Sequence, residues 1–422
     1  MPRMLRVLLG VALCALWAPS LPGAIPSLYI VTASKNLFGA QTGIYDHPTE
    51  RGKQWERPSS VELVYPGGRA GFRIKCGLRI HGCLSRRPEE SPKHSFRLLF
   101  KAKYGAKRLR FPLFGPGGAR EFKTLVLRAG FNDSWLHPDA RWRRRASYIR
   151  DEWMRESMAA MGYPSARGIF VHLYLDGLYW GVYNLCERPD AWFMAGHEGG
   201  SARDYDSRRA SKILSGDATV WDKMMALANA GLDDRRSFDQ IAHYLDPTEF
   251  ADYMILNYYA GNSDWDRDSN WYAGRRRTKG GRFEFFVWDG ECTLGDMDAC
   301  TMDFDDENSP PGLFHKLCDS PDFRRLLAAR IRRLLLNGGP LSPGAAAARY
   351  QALARQLHGA IFAEAARWGG YRHELRQDKT GACQPDTAKK DWDRELERIL
   401  KRYFPKRTAV VLRQFRERGL YP

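Results

Sequence analysis

The chain has 422 residues, 44% of them hydrophobic and 13% aromatic, enough to bury a large core and too apolar for a disordered segment. Its formal net charge of +17 suggests acidic partners. The basic residues are dispersed, however, and the runs "RWRRRAS" and "GRRRTKGG" lack the interleaved aromatics of a stacking platform, so no specific nucleic acid is expected.

In chain order, "MPRMLRVLLGVALCALWAPSLPGA" has a basic start, an apolar run and then small residues and prolines. It reads as a signal peptide over residues 1–24, too short for a comfortable span, so the mature chain is expected to be secreted or held in the periplasm or cell envelope. No transmembrane segment is expected after its removal. Of eight cysteines, Cys14 lies in that run, leaving seven. Export permits disulfides, and Cys292 with Cys300 or Cys76 with Cys83 are close enough in sequence to be considered. No spacing fits a structural zinc site.

Strands are predicted at "SLYIVTA", "VELVYPGGRAGFRIKCGLRIHGCLSRR", "KHSFRLLF" and "FKTLVLRAG". "SYIRDEWMRESMAAMG" has Ile149, Trp153, Met154, Met158 and Met161 at helical spacing, which predicts an amphipathic helix ending at Gly162. "GIFVHLYLDGLYWGVYNLCERPD" is a hairpin around Asp176-Gly177. Beyond Arg188 helices dominate, interrupted by a hairpin in "NWYAGRRRTKGGRFEFFVWDGE". The predicted organisation is a strand-rich part with one helix over 25–188 and a helix-rich part over 189–422.

The chemistry concentrates in "GNSDWDRDSNWY", where Asp264, Asp266, Asp268 and Asn270 alternate, and in "FFVWDGE", which ends a strand on Asp289. A calcium loop fails, because its sixth position is Ser269 instead of glycine and its twelfth is Arg275 instead of glutamate. That failure also disfavours a calcium-stabilised adhesion protein. The order of catalytic carboxylate, metal-binding asparagine and, after a hairpin, metal-binding aspartate is that of a phosphotransferase. Upstream, Lys93 heads a strand from which an ammonium could reach phosphates. Asp151, Glu152 and Glu156 lie on the predicted helix, and Glu187 sits where a hinge would hold a nucleotide.

The blocks "GLRIHGCLSRR…PKHSFRLLF", "LVLRAGFNDSW", "YIRDEWMRESMAAMG", "LYLDGLYWGVYNLCERPD", "GNSDWD…NWY" and "FFVWDGE" resemble the spore-coat CotH family of atypical secreted protein kinases. The resemblance implies an α+β, divergent protein-kinase-like two-lobe fold, with a strand-rich N-lobe and a helical C-lobe. It also implies an exported kinase that uses ATP and Mg²⁺ or Mn²⁺ to phosphorylate Ser/Thr hydroxyls of secreted or surface proteins. Carried over, Asp264 or Asp266 is catalytic, Asn270 and Asp289 hold the metal, and Lys93 holds the phosphates. The acid that pairs with Lys93 stays open among Asp151, Glu152 and Glu156, with Glu152 favoured, and Glu187 is a candidate contact to the nucleotide. Asn270 follows Asp264 by six positions and Asp266 by four, so spacing does not choose between them. No GxGxxG loop exists, leaving Gly82, Ser85 and Arg86 to cover the phosphates. The altered loop spacing keeps open a catalytically silent surface or envelope binding module.

Overall fold

In the computed structural model, residues 24–115, 117–265, 269–371 and 385–422 are described. Nearly all of the predicted signal peptide, together with Asp266 and Asp268, lies outside them. Strands β1 (Ser27–Val31), β2 (Arg57–Val64), β3 (Phe72–His81), β4 (Ser95–Leu99), β7 (Thr124–Arg128), β8 (Gly168–Leu175) and β9 (Leu178–Cys186) form a closed barrel in the order β1-β2-β3-β4-β7-β9-β8. The two short strands β5 (Leu109–Arg110) and β6 (Glu121–Phe122) form a separate ribbon.

Alternation builds the barrel. Leu28 and Ile30, Leu78 and Ile80, and Phe96 and Leu98 point inward, while the residues between them point out. The predicted hairpin joins β8 to β9, with Asp176 and Gly177 both at positive φ (47° and 84°), as the favoured two-residue turn requires. Asp176 Oδ1 also accepts the Thr32 amide at 2.8 Å, tying the turn to the end of β1.

The two-lobe kinase-like arrangement is not what the chain forms. Parallel pairing of β1 with β8, Ser27 opposite His172 through Ile30 opposite Leu175, closes the strand-rich region on itself. That closure leaves a closed seven-stranded barrel plus helices, where the expectation was a strand-rich lobe facing a helical lobe. The α+β class stands. The later half also has its own four-stranded sheet, β11 (Lys212–Ser215), β10 (Tyr205–Arg209), β12 (Trp271–Arg276) and β13 (Glu284–Val287), in that order.

The Arg150–Ala160 helix differs from the amphipathic element expected. Arg150, Asp151, Glu152 and Arg155 are buried together with Trp153 and Met154. It packs against the Pro247–Ala260 and Pro343–Leu357 helices and β13, so apolar and charged faces alike are covered. Its charged groups are paired inside, Arg150 with Asp133 and Glu395, and Arg155 with Asp151 and Glu152.

Cys76, Cys83, Cys186, Cys292, Cys300 and Cys318 are all free, so neither of the two disulfides considered forms. No helix among the described residues is long and apolar enough to cross a membrane.

Candidate functional site

The site begins with the Pro247–Ala260 helix. Asp246 caps it by accepting the Thr248 and Glu249 amides, Pro247 occupies its first turn, and Gly261 ends it at φ +59°. The chain thus turns sharply into the aspartate-rich loop. There Asn262 Nδ2 donates to Asn257 Oδ1 at 2.9 Å, and Ser263 N donates to the Cys292 carbonyl at 3.1 Å. The Asp264 carbonyl accepts Asn270 Nδ2 at 2.8 Å.

Strand register sets the next contact. Trp271 pairs with Val287, so Asn270 comes opposite Trp288, one residue before Asp289. Asn270 and Asp289 both adopt left-handed backbone, φ 64° and 57°. Strain of this kind in non-glycine residues is concentrated at functional sites. Burial, and then the nearby Asp264 carboxylate, raise the Cys292 thiol above its ordinary value, which puts Asp264 beside the segment that follows Asp289. Asp264, Asn270 and Asp289 therefore gather at one end of the β12–β13 hairpin.

At the focus of the carboxylates stands Arg128, the last residue of β7. Its Nη2 contacts Asp289 Oδ1 and lies 2.7 Å from Glu291 Oε1, while its Nε lies 3.0 Å from Asp151 Oδ2. Burial opposes its charge, but Asp151, Asp289 and Glu291 outweigh burial and hold the guanidinium well above its usual range. Asp151 Oδ1 accepts the Gly290 amide at 2.9 Å, and Glu291 Oε2 accepts the Asn132 amide at 2.8 Å. Burial pushes the Glu291 carboxyl up to about 7, against Arg128 and with Asp289 and Asp151 adding to the rise. Asp289 is the accessible member, its side chain 28% exposed against 9% for Asp151 and 8% for Glu291.

The other expected residues lie elsewhere in the fold. Lys93 is enclosed, its Nζ 2.6 Å from Glu364 Oε1 and 2.7 Å from the Val182 carbonyl, above the Tyr183 ring. Burial lowers its pKa, with Glu364 opposing. Its acidic partner is thus Glu364, 271 residues away, and not Glu152. Glu152 instead pairs with Arg155 at 2.7 Å and accepts Asn184 Nδ2 at 2.8 Å. Glu187 accepts the Arg167 amide at 3.0 Å and meets His197 Nε2 at 3.1 Å. Arg86 is buried, donating to the Pro48 and Glu50 carbonyls at 2.7 Å and to Ile80, so its guanidinium braces a loop and does not cover phosphates.

Arg128, Asp151, Glu291 and Glu364 were not singled out for these roles from sequence. Arg128 had a signal, a lone charge ending the apolar run "TLVLR", and Glu291 stands two residues after Asp289. Glu364 had none, because its partner Lys93 lies 271 residues away in the chain.

The available donors near Asn270 and Asp289 are amide and carboxylate oxygens, which suit a hard divalent cation. Among the described residues no group of three or more His, Cys, Asp or Glu side chains is arranged to hold a metal ion, since Arg128 occupies the centre of the carboxylates. Two protein oxygens with phosphate and water completing the shell is the usual arrangement for Mg²⁺. No curated protein matches the sequence. A family model described as CotH kinase protein matches residues 78–411. With a match across most of its length, the chain belongs to the CotH kinase family.

Proposed function

We propose that the protein is an ATP- and divalent-metal-dependent phosphotransferase acting on Ser/Thr hydroxyls of secreted or surface proteins. The observation carrying this reading is the meeting of Asp264, Asn270 and Asp289 at the mouth of one hairpin, with Asp289 held by a buried arginine. Asn270 and Asp289 would hold Mg²⁺ or Mn²⁺, which when bound neutralises charge gathering on the transferred phosphoryl group. Asp264 or Asp266 orients the acceptor hydroxyl and takes its proton. Arg128 fixes the Asp289 carboxylate through one oxygen, and Asp151 and Glu291 fix Arg128 in turn. Lys93, Glu152 and Glu187 act indirectly, since their charged atoms are engaged inside the protein. Lys93 with Glu364 holds the backbone of β9 at Val182, and Glu187 sets the chain leaving that strand.

The test is thermal unfolding of the purified chain with ATP and Mg²⁺ or Mn²⁺, beside Asp289→Asn. A ligand at a hundred times its Kd adds about 2.7 kcal/mol of stability, and the resulting rise in Tm is expected to disappear in the variant. Phosphate transfer to casein should fall by at least about a hundredfold in the same variant. A wild-type chain that neither shifts with nucleotide nor transfers phosphate is the binding module instead.

A further inference from the structure

Where the outer face of the barrel approaches the second sheet, Arg97, Arg188 and Arg209 all lie near His81 and none of the roles above uses them. On β3 and β4, Arg79 pairs directly with Arg97, and His81 with Ser95, all on the face turned away from the barrel interior. Like charges directly opposite on neighbouring strands destabilise a sheet. Arg79 is compensated by Glu56 at 2.8 Å. Arg97 has only a neutral partner, His81 Nδ1 at 3.2 Å, and its Nε is buried without a hydrogen-bond partner.

Two aromatic rings face it. Tyr272 on β12 and Trp288 after β13 lie 5.5 Å apart, and the His81 ring meets Trp288 at 6.5 Å. Arg209 pairs directly with Tyr272 across β10 and β12, so the two side chains share a face of that sheet. Arg209 makes no ion pair among the described residues. Arg188, just past β9, stands over the Tyr272 ring at 5.9 Å, and Arg128 over Trp288 at 4.8 Å. Arg188 has one carboxylate, Asp190, at 3.2 Å.

Burial first, then Arg97, Arg188, Arg128 and Arg209 in turn, hold the His81 imidazole well below its ordinary value. Burial and the charge of Arg188 bring the Arg97 guanidinium down to about 10. In both, burial is the larger cause and the neighbouring arginines add to it. Arg128 is balanced by Asp151, Asp289 and Glu291 and Arg188 by Asp190, whereas among the described residues no carboxylate pairs with Arg97 or Arg209.

We infer that Arg97, Arg188 and Arg209, around the Tyr272 and Trp288 rings, form an anion site for a phosphate-bearing ligand. Planar guanidinium groups bind phosphate through paired, charge-assisted hydrogen bonds. The site adjoins Asp289 through Trp288, and its occupant on the reading proposed above is the polyphosphate of the nucleotide. These arginines then replace the glycine-rich loop that the sequence lacks. The same chemistry would accept a phosphorylated side chain of a protein partner, and the experiment separates the two.

Calorimetric titration of the full chain would use sodium tripolyphosphate, ATP with Mg²⁺, adenosine and a phosphoserine peptide, beside Arg97→Gln and Arg209→Gln. Tripolyphosphate and ATP are expected to bind wild type, each variant weakening both about tenfold, the scale of one lost charge-assisted hydrogen bond. Arg97→Gln also relieves the Arg79–Arg97 repulsion, so its ligand-free Tm should not fall below wild type. If it fails to fold, Arg209→Gln on the other sheet carries the test. Arginine-dependent binding of tripolyphosphate or the phosphoserine peptide without ATP binding upholds the anion site and sinks the nucleotide reading. ATP binding unchanged in both variants overturns the anion site and leaves the nucleotide reading standing. Absence of binding by every phosphate compound overturns the anion site.

Discussion

Asp289 and Lys93 show how burial separates two charges that sequence treats alike. Asp289 keeps part of its carboxylate in solvent, whereas Lys93 and Glu364 have fully buried side chains. Breaking one partner of such a pair leaves an uncompensated buried charge, which costs about 3–5 kcal/mol. Lys93→Met should therefore lower the denaturant midpoint strongly, and Lys93→Met with Glu364→Gln should recover part of the loss. Equal losses in the single and double variants would show that the pair is not the source. Histidines give a pH prediction. Burial holds His172 down to about 4 against an ordinary 6.5, so the unfolded chain takes up a proton that the folded one refuses. Its contribution is full above pH 6.5 and is lost as pH falls towards 4. Glu156, Glu284 and Glu291, raised to about 7, pull the other way between 4.5 and 7. The measurement is thus wild type minus His172→Gln, in which those carboxyls cancel. Wild type should lose more stability than the variant between pH 6.5 and 4, and parallel curves would refute the assignment.

Among the elements, the short Ile361–Glu364 helix and the turns after it lock the end of the barrel. Glu364 takes both the Lys93 ammonium and the Val182 amide, and Trp368 Nε1 donates to the Trp180 carbonyl at 2.8 Å. This approach requires Gly181, at φ +120°, where a Cβ would sit 2.5 Å from Glu364 Oε2 and 2.9 Å from Trp368 Nε1. Gly181→Ala should cost about 1–3 kcal/mol from overcrowding, with added backbone strain, and expose amides 180–183 to hydrogen exchange. Unchanged protection there would mean the segment does not depend on this contact. The β8–β9 hairpin was legible because Asp176-Gly177 is a local signal. The Arg150–Ala160 helix was legible as a helix but not as a buried one, because its polar face is covered by partners from β7, β9 and the C-terminal helices.

For the whole molecule, closure of the barrel is the decisive event. Strand β1 pairs with β2 between Ser27 opposite Val64 and Val31 opposite Ser60 and with β8 from His172 onward, so its pairing with β8 is the contact of longer range. Arg150 links Asp133 to Glu395, and the Lys93–Glu364 pair links the barrel to the later helices. Buried contacts across both halves predict one cooperative calorimetric transition. Two resolved transitions would mean that barrel and helices unfold independently.

The sequence by itself determined the elements with local signals: alternating strands, the Asp176-Gly177 turn, the Gly162 terminator, and the loop and hairpin that carry Asp264, Asn270 and Asp289. It also carried the family resemblance, since motif order needs no coordinates. Only the tertiary structure decided that the strands close into a barrel, that Arg128 grips Asp289, and that Glu364 and not Glu152 neutralises Lys93. The physical reason is range. Turns and caps depend on a few adjacent dihedrals and hydrogen bonds, whereas barrel closure and buried ion pairs join residues that only the folded core brings into contact.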